Sequence, residues 1–289
     1  DYIPPYKTHA SYHSQPTFIS SEQYFVHVNS SAFQRFHFND SETILYMHEI
    51  PESMVIENRK TFLALSESMS EVIGKQERLP SFTEEGIILS VQGGTKVIEK
   101  VLEDVKKHDL KVSAVWAQDW SGQLVTKFGE QVYWNWTLDQ ERYSDLKQRI
   151  KVWQKEGVHF LGYINPFFKE DTKQFNEAKR LGYLVKNKKG YPYLVKSTTF
   201  NAGMIDLTHK DAYEYMKNII KNEMIALGFS GWMADFGEYL PLDAVLKEGK
   251  AEHVHNMYPE LWAKCNQEAI KESKQSCFFF SRAAYKETL

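Results

Sequence analysis

The stretch that decides the fold reads Gly228-Phe229-Ser230-Gly231-Trp232-Met233-Ala234-Asp235-Phe236-Gly237-Glu238-Tyr239-Leu240-Pro241. A helical pattern over 212–227 precedes it, and Gly228 is a usual stop for a helix. A short apolar run then leads into Asp235, and Glu238 follows three residues later. Enzymes with alternating strands and helices keep reactive groups at the carboxyl ends of their strands. We therefore expect Asp235 to be a reactive carboxylate, since a helix cap would not explain the aromatic residues and glycines around it.

The same alternation extends outward from this stretch. Strands are predicted at five apolar segments, namely 86–94, 112–120, 159–166, 231–235 and 277–282. Helices are predicted over 96–107, 143–156, 172–180 and 212–227. Near-continuous apolar strands that alternate with helices indicate a parallel sheet covered on both faces. Polar side chains gather where these strands end, which is typical of a (β/α)8 barrel: Gln92, Gln118, Asp119, Asn165, Asp235 and Arg282.

The number of strands is too small for a closed barrel. A (β/α)8 barrel has eight strands and roughly 250 residues, whereas residues 86–289 provide five predicted strands. A five-stranded arc would leave an open apolar edge, which soluble proteins avoid. We therefore expect the barrel to be incomplete within this chain.

Residues 1–78 follow a different pattern. Short segments at 23–28 and 43–47 have strand character and lie between Asn, Ser and Asp turns. Residues 61–73 have helical spacing. We interpret residues 1–78 as part of an N-terminal β-sandwich with a helical linker. Residues 79–289, which begin beside Pro80, are interpreted as the first part of a catalytic barrel.

Composition narrows the class of protein. The chain has 289 residues, of which 42% are hydrophobic and 25% charged, as in soluble globular proteins. A net charge of −3 shows no excess of basic residues of the kind that binds nucleic acid. No apolar run approaches the roughly 18 residues of a membrane span. Cys265 and Cys277 form neither a disulfide framework nor a zinc-ligand spacing.

Three Asn-x-Ser/Thr sequons bear on the cellular location, at Asn29, Asn39 and Asn135. One or two would occur by chance in a chain of this composition, so they are weak support for secretion and we favour a cytoplasmic location. The aromatic content of 14% suits sugar binding as well as a large core, so a small carbohydrate is one candidate partner, and a homo-oligomer is one candidate assembly.

Several motifs together resemble one enzyme family. The segment 231–239 resembles the nucleophile motif of glycoside hydrolase family 31, and within that family the chain is most similar to the sulfoquinovosidases. The similarity covers 15–282, and its other motifs are Ser90-Val91-Gln92-Gly93-Gly94, Trp116-Ala117-Gln118-Asp119-Trp120-Ser121-Gly122, Tyr163-Ile164-Asn165-Pro166, His255-Asn256 and Leu261-Trp262-Ala263-Lys264-Cys265-Asn266. Because several long motifs occur in the right order, the match is specific.

The resemblance implies a β-sandwich followed by a (β/α)8 barrel and a retaining, double-displacement mechanism. In such a mechanism one carboxylate attacks the anomeric carbon, while a second, about 5 Å away, protonates the leaving oxygen. The nucleophile of the family corresponds to Asp235. The family carries its acid/base on an Asp after the sixth strand, which this chain lacks, so Glu238 is expected to be a supporting acid. No metal or organic cofactor is implied.

The resemblance also implies a set of sugar-binding residues. Gln92 and Gln118 match two glutamines that recognise the sulfonate, and Trp134 matches a tryptophan of the same set. Gln131 stands where the sulfoquinovosidases have an arginine, whose charged bonds a neutral amide cannot replace. Asp119 and Arg282 match positions that bind the sugar itself, and these six residues with Asp235 are our candidate site.

Two alternatives remain open at this stage. Gln131 is compatible with a related α-glucosidase or α-xylosidase that takes a neutral sugar. The sequence also leaves the family pattern at 283–288, which motivates a non-catalytic, carbohydrate-binding paralogue.

Overall fold

The structure, a computed structural model, describes residues 12–197 and 199–285. Its first part contains five short strands and one helix: β1 (Thr17–Ile19), β2 (Tyr24–Asn29), β3 (Gln34–Phe38), β4 (Thr43–Met47), β5 (Ser53–Asn58) and α1 (Phe62–Ile73). Strands β1, β2 and β5 form an antiparallel sheet with β2 in the centre, and β3 and β4 form a separate hairpin. Helix α1 begins where the Thr61 hydroxyl accepts a hydrogen bond from the backbone N–H of Ala64. The two strands and the helix predicted here are therefore confirmed as β2, β4 and α1.

The second part alternates strands and helices. Its elements are α2 (Phe82–Glu85), β6 (Ile87–Ser90), α3 (Thr95–Lys107), β7 (Val112–Trp116), β8 (Gln123–Thr126), β9 (Gly129–Val132), α4 (Leu146–Lys155), β10 (His159–Ile164), β11 (Phe167–Lys169), α5 (Lys173–Leu181), β12 (Leu194–Lys196), β13 (Asn201–Met204), α6 (Lys210–Glu223), β14 (Gly231–Ala234), α7 (Ala251–Ser273) and β15 (Phe278–Ser281). Two 3₁₀ turns, Gln118–Ser121 and Ile225–Leu227, complete it.

Five of these strands form one parallel sheet in the order β6-β7-β10-β14-β15. They are the five strands predicted from the sequence. Their order across the sheet is the order along the chain, without the reversal that a doubly wound sheet has at its switch point. A monotonic order with intervening helices is the arrangement of a (β/α) barrel wall. All five carboxyl ends therefore lie at one edge of the sheet.

The two faces of this sheet have separate apolar clusters. Successive residues of a strand point to opposite faces, and accordingly Phe160 and Leu161 belong to different clusters. The larger cluster joins the sheet to its covering helices, with Trp120, Trp232 and Trp262 fully buried. The smaller one holds Leu161 with Phe82 and Ala114 on the opposite face. The sheet is thus apolar on both sides, as the continuous apolar strands predicted.

Two small antiparallel sheets stand beyond the carboxyl edge of the parallel sheet. Strands β8 and β9 form a hairpin in the connection after β7. Strands β11, β13 and β12 form a three-stranded sheet in the connection after β10. These insertions place Gln131, Trp134 and Phe200 over the edge at which the barrel strands end.

Helix α7, of 23 residues, was not predicted from the sequence. It contains Pro259, which removes a backbone donor and usually ends or kinks a helix. The helix continues because its middle is buried, with Tyr258 and Trp262 in the main core. Its first turns also contact the N-terminal part of the chain, where Asn256 Nδ2 donates to the Ser31 carbonyl at 2.9 Å. Tertiary packing thus overrides the local signal of the proline.

Candidate active site

Asp235 follows directly after β14 and is 6% exposed. Its backbone N–H donates to the Ile164 carbonyl at 2.9 Å, which continues the ladder between β10 and β14. Its carbonyl accepts a 3.1 Å bond from Trp262 Nε1 on α7. Its main chain is therefore fixed on both sides, and the side chain projects at the carboxyl edge of the sheet. This is the place that the sequence predicted for it.

The two oxygens of Asp235 have different neighbours. Oδ2 accepts a 2.6 Å hydrogen bond from the hydroxyl of Tyr163, which lies on the adjacent strand β10. Oδ1 lies 3.3 Å from Arg282 Nε. The bond from Tyr163 was not predicted from the sequence, because a tyrosine inside an apolar strand has no pattern that distinguishes it from a core residue.

Arg282 connects Asp235 to Glu238. Its Nη2 donates a 2.7 Å bond to Glu238 Oε1, while its Nε faces Asp235. The guanidinium lies between two aromatic rings, 4.3 Å from the centroid of Phe236 and 4.4 Å from that of Tyr12. Cation–π contacts of this kind stabilise a cation that is partly removed from water. The guanidinium is thus held in one orientation, with a carboxylate on each of two donors.

Burial raises the pKa of Glu238 above its ordinary value, and the neighbouring Arg282 guanidinium opposes that rise. A raised pKa is useful in a general acid. In Glu238, however, Oε1 is already bonded to Arg282, and its side chain is 16% exposed. Glu238 thus lies where it holds Arg282, and its role as a supporting acid stays a prediction.

The loop after Asp235 has an unusual backbone. Phe236 has a φ of +61°, in the left-handed region that non-glycine residues rarely adopt. Gly237 follows with a φ of +121°, and a Cβ there would lie 3.1 Å from Pro259 Cα on α7. Strained residues of this kind persist where the surrounding structure holds them, and they cluster at functional sites. In this conformation the Phe236 ring lies 4.3 Å from the Arg282 guanidinium.

Asp119 is fully buried in the turn after β7. Its Oδ2 accepts a 2.8 Å bond from the backbone N–H of Gly93, and its Oδ1 accepts one from the hydroxyl of Tyr143. Burial raises its pKa, and the bonds from Tyr143 and Gly93 oppose that rise. Both oxygens are therefore committed to protein donors, and they fix the loop that carries Gln92.

The remaining predicted residues surround this edge. Gln92 is exposed after β6, and Gln118 begins the 3₁₀ turn after β7, so the two lie at the ends of neighbouring strands. The Trp134 ring makes edge-to-face contacts with Phe236 at 5.3 Å and with Phe200 at 5.0 Å. Gln131 lies on β9, where its Oε1 accepts a 2.5 Å bond from the Thr199 hydroxyl. Its amide nitrogen is the end that can donate to a ligand.

A large cavity of about 1390 Å³ lies elsewhere. It is lined by the opposite face of the parallel sheet, by α1 and by β1, and its lining is mainly apolar: Met69, Ile73, Ile88, Leu161, Phe278 and Phe280 are among its residues. None of the seven predicted site residues lines it. The candidate chemistry and this cavity are therefore separate features.

No group of three or more His, Cys, Asp and Glu side chains in 12–197 and 199–285 is arranged to hold a metal ion. Within the same residues, every helix is too short or too polar to cross a membrane.

Residues 79–287 match the TIM-barrel domain of glycosyl hydrolases family 31. The chain belongs to glycoside hydrolase family 31. The match covers more than half of the chain, and it includes all five strands of the parallel sheet. The barrel architecture that the sequence predicted is thereby confirmed, and the five parallel strands are part of its wall. The β-sandwich assigned to residues 1–78 and the boundary near Pro80 stay predictions.

Within family 31, the chain is similar to proteins named sulfoquinovosidases. It is 44% identical over 273 residues to that of Escherichia coli and 34% identical over 280 residues to that of Agrobacterium fabrum. These alignments cover 93% and 94% of this chain but 40% and 41% of the relatives. The structure resembles a family 31 sulfoquinovosidase from E. rectale, solved with an aza-sugar inhibitor, with a TM-score of 0.92 and 40% identity over 96% of this chain and 42% of that one. The chain thus spans about two fifths of the length of these relatives.

Proposed function

We propose that this chain carries the nucleophile of a retaining α-glycoside hydrolase, and that the nucleophile is Asp235. The observation that carries the proposal is the position of Asp235 at the carboxyl edge of a family 31 barrel, with the Tyr163 hydroxyl bonded to Oδ2 and the Arg282 cation 3.3 Å from Oδ1. A buried carboxylate with a fixed backbone and a cation beside it suits attack on an anomeric carbon. The fixed geometry lowers the entropic part of the barrier.

The mechanism we propose has two displacements. In the first, an oxygen of Asp235 forms a bond to the anomeric carbon, and the glycosidic bond breaks with its electron pair on the leaving oxygen. In the second, water attacks the same carbon and the electron pair of the ester bond returns to Asp235. Glu238 already accepts a hydrogen bond from Arg282, so we assign the proton transfers to a different carboxyl group. We expect that group after the sixth strand of the barrel, as the resemblance to the family implies.

We propose an α-sulfoquinovoside as the substrate. The similarity to proteins named sulfoquinovosidases, at 44%, 40% and 34% identity, supports this choice. Gln92, Gln118, Gln131 and Trp134 would contact the sulfonate, and Arg282 the sugar ring. Asp119 would act by fixing the Gln92 loop, since both of its oxygens are bonded to the protein.

A neutral α-glycoside, such as an α-glucoside or an α-xyloside, is the second candidate substrate. Gln131 favours it, because an amide binds a sulfonate less strongly than a guanidinium does. The Oε1 of Gln131 is also occupied by Thr199, which leaves a single NH₂ group as donor. Turnover of aryl α-sulfoquinovoside, α-glucoside and α-xyloside by the full-length protein decides between the two.

The nucleophile is tested by trapping. A fluorinated α-glycosyl fluoride should label the full-length protein, and peptide mapping should locate the label on Asp235. Asp235→Asn should remove both labelling and turnover while the protein stays folded. Asp243→Asn is the matched control, since Asp243 is a second aspartate close in sequence that bonds only Tyr193 among the described residues. A label on another residue, or normal activity of Asp235→Asn, contradicts the assignment. A folded wild type with neither label nor turnover would favour the non-catalytic, carbohydrate-binding alternative.

A further inference from the structure

Tyr163 is the closest hydrogen-bond donor to the proposed nucleophile. Its hydroxyl lies 2.6 Å from Asp235 Oδ2, and its side chain is almost fully buried, with 5% exposed. It stands on β10, directly beside the strand that ends in Asp235. Burial, together with the nearby Asp235 carboxylate, raises the pKa of Tyr163 well above its ordinary value of 10. The hydroxyl therefore keeps its proton and remains a donor.

Asn165 determines where that proton points. Its Nδ2 donates to the Tyr163 oxygen at 3.2 Å, and its Oδ1 accepts a 3.0 Å bond from the Phe167 backbone N–H. The second of these bonds fixes which end of the amide faces Tyr163. Since Asn165 donates to the Tyr163 oxygen, the single proton of the hydroxyl is directed to Asp235. The hydrogen bonds therefore run in one direction, from Asn165 to Tyr163 and from Tyr163 to Asp235.

We propose that Tyr163, oriented by Asn165, is a positioning residue that stabilises the Asp235 carboxylate as it leaves the glycosyl-enzyme. The inference rests on the proposed function, because it concerns the second displacement of that reaction. Oδ2 is held by Tyr163, while no described residue gives Oδ1 a bond of hydrogen-bond geometry. Oδ1 is buried and lies 3.3 Å from Arg282 Nε, so Tyr163 is the hydrogen-bond donor that acts on this carboxylate among the described residues.

The two displacements change the charge on Asp235 in opposite directions. The first converts the carboxylate into an ester, so negative charge leaves Oδ2 and the Tyr163 bond weakens. In the second, a water oxygen bonds to the anomeric carbon, the ester bond breaks, its electron pair returns to Asp235, and the water proton passes to the general base. The Tyr163 bond strengthens as that charge develops, so it lowers the second barrier, whereas its weakening in the first displacement does not lower the first barrier.

The test uses the full-length protein and an aryl α-sulfoquinovoside with a good leaving group, or the α-glucoside if that is the substrate. Such a phenolate departs without protonation, so the second displacement limits the rate. Tyr163→Phe should lower kcat by about ten- to a hundredfold, the usual size for a bond to a charged group. It should change kcat/KM much less, so that KM falls together with kcat. A burst of phenolate equal to the enzyme concentration should precede the steady state.

Two further variants show whether the effect is specific to the Tyr163 hydroxyl. Tyr258→Phe removes another buried hydroxyl, which bonds the Ile205 carbonyl, and it should leave kcat/KM and the burst unchanged. A fluorotyrosine at position 163 keeps the shape of the ring and is a stronger donor, so it should raise kcat, in the opposite direction to phenylalanine. This second variant tests the inference even if Tyr163→Phe does not fold.

Each outcome has one meaning. An active wild type in which Tyr163→Phe lowers kcat and kcat/KM equally, with no burst, overturns the inference and leaves the proposed function standing. A fluorotyrosine protein that is slower than wild type also overturns it. A wild type that turns over no α-glycoside overturns both.

Discussion

Glu238 accepts a 2.7 Å hydrogen bond from Arg282, although the two residues are 44 positions apart in the sequence. The same guanidinium faces Asp235, three residues before Glu238 on the same loop. One arginine from the end of β15 therefore joins two carboxylates from the end of β14. This pairing gives the second acid of the motif 231–239 a partner of its own beside the proposed nucleophile.

Breaking the pair of Glu238 and Arg282 should slow the chemical step. Glu238→Gln keeps the size of the side chain but removes its charge, and Arg282→Lys removes the planar group that contacts two carboxylates. We expect each change to lower kcat/KM by about ten- to a hundredfold, since charged hydrogen bonds contribute roughly 1.5–3 kcal/mol. The loss of transition-state stabilisation in the double variant should be smaller than the sum of the losses in the two single variants, because the two residues act through one contact.

A double-mutant cycle on kcat/KM measures this coupling in the full-length protein. The control pair is Arg149 and Glu99, whose side chains are 2.6 Å apart on the helical exterior and partly exposed. Exposed pairs contribute about 0–1 kcal/mol, so Glu99→Gln should leave kcat/KM unchanged. Additive losses at Glu238 and Arg282 would show that the two act independently.

Gln131→Arg should increase the preference for a sulfonated sugar. An arginine at this position supplies a charge and a second donor, which an amide with its oxygen on Thr199 lacks. We expect the ratio of kcat/KM for aryl α-sulfoquinovoside over aryl α-glucoside to rise on the order of ten- to a hundredfold. Glu130→Gln adds the same net charge to the same hairpin, and it should change the ratio little. If wild type already prefers the sulfoquinovoside a thousandfold and the arginine has no effect, the role given to Gln131 is wrong.

Asp119→Asn should loosen the loop that carries Gln92. Asparagine has one acceptor oxygen, so it cannot accept from both Gly93 and Tyr143, and one buried donor would be left without a partner. We expect a loss of about 1–3 kcal/mol in the free energy of unfolding, together with faster hydrogen exchange in 91–95. Tyr143→Phe, which removes one donor and retains the Gly93 bond, should have the smaller effect on exchange. An unchanged exchange rate in Asp119→Asn would leave direct sugar binding as the role of Asp119.

His159 should make stability depend on pH. Its ring stacks on Phe82, and its Nδ1 is 2.9 Å from the Ser230 hydroxyl oxygen. Burial lowers the pKa of His159 below its ordinary value of 6.5, while Glu85 opposes that shift. The unfolded chain therefore binds more protons than the folded one as pH falls through 6.5, and the contribution of His159 to stability is present above that pH and lost below it.

Thermal unfolding of the full-length protein between pH 7.5 and 5 measures this effect. His159→Gln should make the midpoint less dependent on pH over that interval. His37→Gln, at an exposed histidine of β3, should retain the dependence of wild type. Equal slopes in wild type and His159→Gln would contradict the prediction.

Much of the barrel was predictable because its signals are local. Continuous apolar strands, glycine at the end of a helix and polar residues at strand ends indicated both the five parallel strands and the edge at which Asp235 lies. Helix α7 was missed because Pro259 is a local stop signal, and only its buried surroundings let the helix continue through it.

The contacts within the candidate site were less accessible to sequence reasoning. The bond from Tyr163 to Asp235 depends on the register of β10 against β14, which no single segment encodes. The left-handed backbone of Phe236 is likewise imposed by its surroundings, since phenylalanine has no local preference for it. Asp119 was identified as a candidate, but its two protein donors come from segments 24 and 26 residues away.

Helix α7 bonds the segment 235–240 at both ends, through Trp262 to the Asp235 carbonyl and through His255 Nδ1, which donates to the Leu240 carbonyl at 2.6 Å. Between them, Pro259 packs against Gly237. Proteins open locally in cooperative units rather than residue by residue. Because of these contacts we expect the loop and the first three turns of α7 to open as one such unit, so that melting this part of the helix also releases the Asp235 carboxylate. Activity should therefore be lost on heating when one helix frays, before the rest of the barrel wall unfolds.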